Sequence, residues 1–405
     1  MSRHVIKRLG HKGDGIAPGP IYAARTLPGE EIEGDLRDDR IEAPRILTPA
    51  PERVTPDCPH YETCGGCALM HADDAFVAGW KADVVRRALA AQGLDAPIKG
   101  SATSPENTRR RATLSARRGK KGGLVGFHAR GSGTISRIDA CRVLRPQILE
   151  ALPAVEALVQ AGASRKGELS VTVTHGPAGI DVAARDGKMP DRALSDTLAA
   201  IAGEHDLARL SWNGESVATA RPPYQKFGGV RVVPPPGAFL QATEEGERAL
   251  IAAVSRALGS AGRVADLFSG CGTFALPVSR RVQVHAVEGD ADLLAALAAG
   301  WRHGTDHQNV SSEVRDLARR PLEPEALNGF DAVVIDPPRA GAEAQMHALA
   351  ASGVPRVASI SCNPVTFARD ASILKRGGFE IEWIRIVDQF RWSPHVEIAA
   401  CLVRR

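Results

Sequence analysis

The pattern of apolar and polar positions changes after the three prolines at 234–236. Downstream of them, apolar runs of strand length alternate with segments of helical spacing. This alternation predicts an α/β domain, with a parallel sheet covered by helices on both faces. The predicted strands are 263–267, 283–287, 332–335 and 356–361, and the predicted helices are 273–280, 291–301 and 343–351. No helix separates the last two apolar segments, 380–387 and 397–403, so they predict an antiparallel hairpin at one edge of the sheet.

The chain before these prolines is organised differently. Short strands separated by glycine and proline predict a small β-barrel over residues 1–54. A proline-rich linker at 48–59 leads into a mixture of helices and strands, which predicts a central α+β domain over residues 55–236. The α/β domain then covers residues 237–405. Helices are expected at 75–91, 149–159 and 194–205, and strands at 5–9, 20–24, 31–36, on both sides of 119–123, at 169–174 and at 180–184.

Composition is that of a soluble multidomain protein. The chain has 405 residues, of which 43% are hydrophobic and 24% are charged, and these values are ordinary for globular domains. No apolar run reaches the roughly 20 residues that a membrane span needs, and the N-terminal stretch lacks the apolar segment of a secretory signal. We therefore expect a cytoplasmic protein with no membrane partner.

The net charge of +4 conceals an uneven distribution. Residues 109–145 contain eleven lysines and arginines against one acidic residue, a net of +10, so the rest of the chain carries −6. A basic stripe on a mildly acidic protein is typical of one that binds a polyanion. A run of charges on a solvated surface is the alternative interpretation.

A glycine-rich turn and a later carboxylate predict a cofactor site. The turn 266–274, DLFSGCGTF, follows the first strand of the α/β domain, and Glu288 ends the second strand 22 residues after Asp266. A carboxylate at that position can accept both hydroxyls of an adenosine ribose. The turn lacks a phosphate-binding lysine or a third glycine, which favours S-adenosylmethionine over a dinucleotide. A plain strand-to-helix connection is the alternative for the turn alone.

Three side chains at strand ends could carry the chemistry. Asp336 ends the fourth strand before two prolines, and Cys362 ends the fifth strand just before a helix that Pro364 could open. A thiol near a helix N-terminus is expected to have a lowered pKa, and its thiolate is the nucleophile. Glu397 begins an otherwise apolar strand, where a raised pKa would suit a general base. The alternatives are an inert buried thiol, which describes Cys401 well, and a solvated strand-end charge for Glu397.

Four further cysteines have the spacing of a ligand set. Cys58, Cys64 and Cys67 lie within ten residues, and Cys141 lies far downstream. Clustered cysteines in a reducing compartment indicate metal or catalysis rather than disulfides. Four thiolates suit either zinc or an iron–sulfur cluster, and the spacing is not that of a zinc ribbon.

Five motifs in the last 170 residues carry a resemblance to a known family. The chain contains DLFSGCGTFALP, VEGD, DPPRAGA, SCNPVTFARD and HVE in this order, and in this it resembles the bacterial RNA uracil-5-methyltransferase family. The resemblance implies a Rossmann-type catalytic domain, with Cys362 as the nucleophile and Glu397 as the base that removes the C5 proton of a uridine. It also implies an S-adenosyl-L-methionine pocket lined by Gln241, Phe268, Thr273, Glu288 and Asp336.

These residue types suit the chemistry that the resemblance implies. Addition of the Cys362 thiolate to C6 of uracil makes C5 nucleophilic, so that C5 can take the methyl group. Glu397 then removes the C5 proton, and elimination frees the thiol. Because a base in a duplex is shielded, the target must be unpaired or flipped out.

The ribosomal-RNA branch of the family extends the resemblance to the first half of the chain. That branch carries a [4Fe-4S] cluster on matching cysteines and a stretch like GFHARGSGTI at 126–135. The cysteines are therefore expected to hold a cluster, with zinc and free thiols as alternatives, and residues 1–54 resemble an RNA-binding TRAM barrel. We expect a monomer that acts on 23S rRNA, with transfer RNA as the alternative substrate. Rival functions are a small-molecule or protein methyltransferase and a non-catalytic RNA-binding protein.

Four positions depart from the family pattern. Family members often have asparagine in place of Thr273, and a Pro-x-Thr-Gly run in place of Arg391, Ser393 and Pro394. The hydroxyl of Thr273 retains one hydrogen-bonding group toward the cofactor. Arg391 is expected to contact RNA phosphate instead.

Overall fold

Two small sheets form the N-terminal part of the molecule in a computed structural model, which describes residues 2–120 and 122–405. One sheet has the order β1-β5-β7, and the other has the order β2-β3-β4-β6. Ile6, Ile32 and Ile41 are buried in the core between them. The strands are β1 (Ser2–Val5), β2 (Arg8–Leu9), β3 (Gly15–Ala17), β4 (Ile21–Ala23), β5 (Glu31–Gly34), β6 (Arg40–Ile41) and β7 (Arg45–Thr48).

A seven-stranded sheet dominates the middle of the chain. Its order is β11-β10-β9-β12-β13-β14-β15, and every neighbouring pair except β13 with β14 is antiparallel. The predicted segments on either side of 119–123 are confirmed as two antiparallel strands. The elements are α1 (Asp74–Ala90), β8 (Ile98–Thr103), β9 (Arg111–Arg118), β10 (Gly123–His128), β11 (Ile135–Arg137), α2 (Pro146–Glu150), α3 (Leu152–Gly162), β12 (Glu168–Gly176), β13 (Gly179–Arg185), α4 (Arg192–Glu204), β14 (Arg209–Trp212), β15 (Glu215–Thr219), β16 (Gln225–Phe227) and β17 (Val230–Val232).

An eight-stranded sheet with a parallel core fills the C-terminal part. Its order is β20-β19-β18-β21-β22-β24-β23-β8, so the strand order reverses direction between β18 and β21. The predicted α/β alternation is confirmed. The elements are α5 (Glu244–Leu258), β18 (Arg263–Leu267), α6 (Ala275–Ser279), β19 (Gln283–Glu288), α7 (Ala291–Arg302), β20 (Val310–Val314), α8 (Pro324–Leu327), β21 (Ala332–Ile335), α9 (Glu343–Ala351), β22 (Arg356–Ser361), α10 (Pro364–Arg376), β23 (Phe379–Asp388) and β24 (Glu397–Arg404).

Helices cover both faces of this sheet, as its continuous apolar strands require. Residues of α5, α6 and α7 pack on one face, and residues of α1, α9 and α10 pack on the other. Asp73 caps the N-terminus of α1 by accepting from the Phe76 amide. Helix α1 is thus one of the helices that cover the C-terminal sheet, although its residues lie within 55–236, the range predicted for the central domain.

The predicted hairpin at the end of the chain forms, but it is not at the sheet edge. β24 lies between β22 and β23 and pairs antiparallel with both. β23 in turn pairs parallel with β8, which is the outer strand. The prediction of an edge hairpin was wrong because a segment from far upstream occupies the edge.

Candidate active site

The ends of neighbouring strands at one edge of the C-terminal sheet form the candidate site. β19 ends at Glu288, β21 is followed by Asp336, and β22 is followed by Cys362. Because β24 runs antiparallel to β22, its first residue, Glu397, lies at this same edge. The strand order reverses between β18 and β21, and ligands of open α/β sheets bind at such a reversal.

The turn after β18 depends on backbone conformations that few residues adopt. Phe268, Gly270 and Gly272 have φ values of 61°, 55° and 98°, all in the left-handed region. A Cβ atom on Gly272 would lie 2.9 Å from the Leu276 side chain, so only glycine fits there. The Gly270 amide donates to a Glu288 carboxylate oxygen at 3.0 Å. Glu288 therefore holds the turn in shape as well as ending its strand.

Asp266 is a site residue that the sequence analysis did not single out. Its side chain is buried, and neither carboxyl oxygen has a hydrogen-bond partner of good geometry within the described residues. Burial raises the pKa of Asp266 well above its ordinary value, and the charges of Asp336 and Glu288 add to the rise. The sequence signal that could have identified Asp266 is the presence of an acidic residue inside an apolar strand. Thr273, which was predicted to line the cofactor pocket, is half-buried in the adjoining turn.

Cys362 stands between the end of β22 and the start of α10. Pro364 opens that helix and Asn363 caps it by accepting from the Val365 amide, as the sequence predicted for Pro364. The expectation of a lowered thiol pKa was wrong. Burial raises the pKa of Cys362 to about 11, with further contributions from Glu397 and Asp336. Desolvation and two nearby carboxyls outweigh the helix terminus.

Glu397 and Asp336 also have raised pKa values, and the rise for Glu397 was predicted. Glu397 is 4% exposed; burial and then the charge of Asp336 raise its pKa to about 8, in agreement with the sequence expectation. Burial raises the pKa of Asp336 to about 7. The Cys362 thiol thus stands beside two carboxyls whose protonation can change near neutral pH, and such carboxyls are suited to proton transfer.

Two buried glutamines join these carboxyls. The Gln241 Nε2 atom lies 3.3 Å from Asp336 Oδ2, and its Oε1 atom lies 2.5 Å from Gln389 Nε2. Gln389 Nε2 also lies 3.0 Å from Glu397 Oε2. The predicted cofactor residue Gln241 is therefore linked through Gln389, which sequence reasoning did not select, to the predicted base.

The loop between β23 and β24 is fixed from the opposite side. Lys81 of α1 pairs with Asp388 at 2.6 Å, and both side chains are almost fully buried. The carbonyl of Trp392 accepts hydrogen bonds from two backbone amides just after Cys67. Arg391 pairs with Asp74 at 2.6 Å, and its expected contact with RNA phosphate stays a prediction.

The four clustered cysteines line one cavity. Cys58, Cys64, Cys67 and Cys141 surround a space of about 300 Å³ that also reaches His395. All four are free of disulfide bonds. Burial raises the pKa of Cys64, Cys67 and Cys141. In the described part of the chain, no three His, Cys, Asp or Glu side chains stand close enough together to hold one metal ion.

Comparisons with known proteins agree with this geometry. The family model described as tRNA (Uracil-5-)-methyltransferase matches residues 308–405. An uncharacterised RNA methyltransferase of Brucella suis is 44% identical over 98% of this chain and 97% of its own length. The 23S rRNA (uracil(1939)-C(5))-methyltransferase RlmD of Chromohalobacter salexigens is 33% identical over 98% of this chain and 88% of its own. The chain belongs to the RNA uracil-5-methyltransferase family. It is therefore an RNA methyltransferase.

A solved structure shares the fold of this RNA uracil-5-methyltransferase over almost its whole length. The Pyrococcus abyssi tRNA (uracil-54, C5)-methyltransferase, solved with S-adenosyl-L-homocysteine, matches with a TM-score of 0.76 and 21% identity. The match covers 99% of each chain. The order of sheets described above is thus the fold of a methyltransferase.

Part of the basic stripe of the RNA methyltransferase, residues 109–145, is paired with acidic side chains. Six of its arginines pair with carboxylates that other segments supply. The pairs are Arg110 with Glu247, Arg117 with Glu168, Arg130 with Asp14, Arg137 with Glu156, Arg142 with Glu106 and Arg145 with Glu244. The net of +10 therefore overstates the free positive charge at the surface. Over residues 2–120 and 122–405, no helix has both the length and the apolar character of a membrane span.

Proposed function

We propose that this methyltransferase transfers a methyl group from S-adenosyl-L-methionine to C5 of a uridine in 23S rRNA, through a covalent bond between Cys362 and C6 of the base. The observation that carries the proposal is the position of the Cys362 thiol beside a buried carboxyl, Glu397, whose pKa burial raises to about 8. A methyltransferase that acts on an already nucleophilic atom needs neither group.

Each residue has a defined part in the proposed reaction. The Cys362 thiol gives its proton to solvent, and the resulting thiolate bonds to C6, which opens the C5=C6 double bond and places electron density on C5. C5 would then form a bond to the methyl group of bound S-adenosyl-L-methionine, whose sulfur would keep the electron pair of the broken S–C bond. Glu397 removes the C5 proton, the double bond re-forms and the Cys362–C6 bond breaks. The thiol is thereby restored for another cycle.

The carboxyls at the sheet edge fit a cationic cofactor. Asp266 has a buried, unpartnered carboxyl close enough to Asp336 and Glu288 for their charges to raise its pKa. An ammonium or sulfonium group beside them would offset this repulsion and favour their ionised forms. Gln241, Phe268, Thr273, Glu288 and Asp336 are the residues that would hold the cofactor. The same positive charge would lower the pKa of Cys362 and so ease its deprotonation.

Release of tritium from RNA that contains 5-tritiated uridine tests the reaction, because only chemistry at C5 frees that label. The wild type is expected to release tritium in step with methyl transfer. Cys362→Ala should abolish release and retain binding of S-adenosyl-L-methionine. Cys401→Ala is the matched control, since this buried thiol contacts Ala257 and Glu382 instead. Full methylation by Cys362→Ala, or methylation without tritium release, would refute the mechanism.

The choice of 23S rRNA has support from the relative in Chromohalobacter, which is named for that substrate and matches 98% of this chain. A transfer RNA is the second candidate, because the matching family model and the Pyrococcus abyssi enzyme are both named for transfer RNA. Mapping of 5-methyluridine in both RNA fractions of a deletion strain separates them. Loss of the modification from transfer RNA alone would overturn the ribosomal assignment.

We also infer that Cys58, Cys64, Cys67 and Cys141 hold a [4Fe-4S] cluster. The support is one cavity of about 300 Å³ lined by these four free thiols, and four cysteine thiolates are the ligand set of such a cluster. A cationic centre would also favour the thiolates that burial disfavours. Iron and sulfide analysis of anaerobically purified protein tests this. Stoichiometric zinc without iron would overturn it.

The remaining assignments concern the other parts of the chain. We propose that residues 1–54 form a TRAM-like barrel and that 55–236 form an RNA-binding domain with the cluster, beside the catalytic domain of 237–405. In support, the two N-terminal sheets share one core. The exception is the segment of helix α1 and strand β8, which lies within 55–236 but packs with the catalytic sheet. We propose a cytoplasmic monomer, which analytical ultracentrifugation and cell fractionation can test.

A further inference from the structure

Gln389 occupies the middle of a buried hydrogen-bonded chain between two carboxyls. It is 1% exposed and Gln241 is 2% exposed. The chain runs from Asp336 through Gln241 and Gln389 to Glu397, with donor–acceptor distances of 3.3, 2.5 and 3.0 Å. One end is Asp336, which is proposed to hold the cofactor, and the other end is Glu397, which is proposed as the base.

A backbone amide fixes the direction of every hydrogen bond in this chain. The Ala242 N–H lies 2.8 Å from Gln389 Oε1, and an N–H can only donate. The Nε2 group of Gln389 must therefore donate its two hydrogens, one to Gln241 Oε1 and one to Glu397 Oε2. Because Gln241 Oε1 already accepts, Gln241 Nε2 donates to Asp336. At each end of this hydrogen-bonded chain, a glutamine Nε2 group therefore donates to a carboxylate.

The Gln389 side chain has little freedom to leave this position. Gly246 of α5 faces it so closely that a Cβ atom there would lie 2.7 Å from Gln389 Cβ. The preceding residue, Asp388, is paired with the buried Lys81, and Lys81 also donates to the Phe390 carbonyl at 3.2 Å. Backbone and side chain are both held, as a preorganised site requires.

We propose that Gln389 is a positioning residue that aims the Glu397 carboxylate and keeps it able to accept the C5 proton, while Gln241 links this base to the cofactor side of the site. The proposal rests on the function proposed above. A hydrogen bond donated to a carboxylate favours the ionised form. Without Gln389, Glu397 would face the charge of Asp336 and the Cys362 thiol with no compensating donor.

The charges around Glu397 set the direction of the expected effect. Asp336 from the end of β21 raises the pKa of Glu397, and the hydrogen bond from Gln389 lowers it. Cys362 from the end of β22 is the second titratable neighbour. Asp388 on β23 is balanced by Lys81. Loss of the Gln389 donor therefore moves Glu397 toward its protonated form, in which it cannot act as a base.

Gln389→Met tests the proposal, because methionine has similar length and no donor. Methyl transfer precedes the step that needs Glu397, so the variant is expected to accumulate methylated RNA joined to Cys362, seen as a denaturation-resistant complex that carries the labelled methyl group. Tritium release in a single turnover should slow by roughly tenfold, the value of one lost hydrogen bond to a charged group. KM for RNA should stay unchanged, and the pH profile of release should move to higher pH.

Gln345→Met is the matched control. Gln345 is fully buried and hydrogen-bonds the backbone of Leu322 on both sides, away from the site. It should lose stability without accumulating the covalent complex. If Gln389→Met is recovered unfolded, Gln389→Asn takes its place, since it retains an amide but is too short to reach Glu397, and the same complex and the same pH shift are expected.

The outcomes distinguish this inference from the function on which it rests. A folded Gln389→Met or Gln389→Asn variant with the wild-type level of complex and the wild-type pH profile would overturn the role of Gln389. Equal accumulation in Gln345→Met would do the same, because the effect would then be structural. Absence of tritium release by the wild type would instead overturn the proposed function.

Discussion

Replacement of Lys81 by methionine should destabilise the protein and loosen the loop that carries the proposed base. Lys81 lies on α1 with a fully buried side chain, and its Nζ atom is 2.6 Å from Asp388 Oδ1 and 3.2 Å from the Phe390 carbonyl. Methionine fills a similar volume but leaves Asp388 as a buried carboxylate without a cation. We therefore expect a loss in the free energy of unfolding of about 3–5 kcal/mol, as found when one partner of a buried ion pair is removed.

The loss should depend on pH in a way that identifies its cause. In Lys81→Met, the Asp388 carboxylate would be buried without a counter-charge, which favours its neutral form. An acid whose folded pKa is raised destabilises the fold above that pKa, and the penalty diminishes as the pH falls and the group takes up a proton. The difference from wild type should therefore be smaller at pH 5 than at pH 8.

Urea unfolding followed by tryptophan fluorescence at both pH values measures this difference. The double variant Lys81→Met with Asp388→Asn is the control, because asparagine removes the charge but keeps an acceptor for the Phe390 amide, which lies 3.1 Å from Asp388 Oδ1. It should recover much of the lost stability. A deficit below about 1 kcal/mol, or one that is equal at both pH values, would refute the reasoning about a buried, unpaired charge.

Three further predictions concern the site itself. Because the pKa of Glu397 is about 8 in the free protein, kcat/KM for RNA should rise with pH from about 6 to about 9; a flat profile limited by chemistry would contradict this role. Glu288→Gln should weaken S-adenosyl-L-methionine binding by about tenfold in calorimetry, since charged hydrogen bonds are lost; wild-type affinity would contradict it. Cys67→Ser should remove the iron and sulfide that the proposed cluster predicts for the wild type; full retention of both would rule out this ligand.

The parallel part of the catalytic sheet could be predicted from the sequence because its signals are local. Each strand is a short apolar run, and each is followed by a helix of clear spacing, so order and direction follow from the alternation. The position of β8 could not be predicted in this way. Ile98 pairs with Ile384 from the other end of the chain, and no local pattern records a pairing between such distant segments.

The same distinction between local and distant signals applies to the candidate site. Strand ends indicated Glu288, Asp336, Cys362 and Glu397, because topology alone brings strand ends to one edge. The pKa of Cys362 was predicted with the wrong sign, since its neighbours Glu397 and Asp336 come from other segments. Gln389 carries no local signal, and its role emerges only from its contacts.

The charges of the basic stripe could be counted from the sequence, but their pairing with distant acidic residues could not. A stretch of eleven basic residues looks like a binding surface when it is read along the chain. In the folded protein, acidic residues from four other parts of the chain form ion pairs with this stretch. Asp14 pairs with Arg130, and Glu247 pairs with Arg110. The excess of acids elsewhere in the sequence was the sign that such pairs could form.

The strand Ile98–Thr103 meets its partner only when synthesis of the chain is almost complete. Until β23 has left the ribosome, this upstream strand exposes unpaired N–H and C=O groups that could pair with another nascent chain. The catalytic half therefore cannot complete its sheet during translation, because β23 and β24 are the last strands to be synthesised. An expressed fragment that begins at residue 237 would lack β8, so the edge of β23 would be unpaired and the fragment should aggregate. In the intact protein, β8 covers this edge.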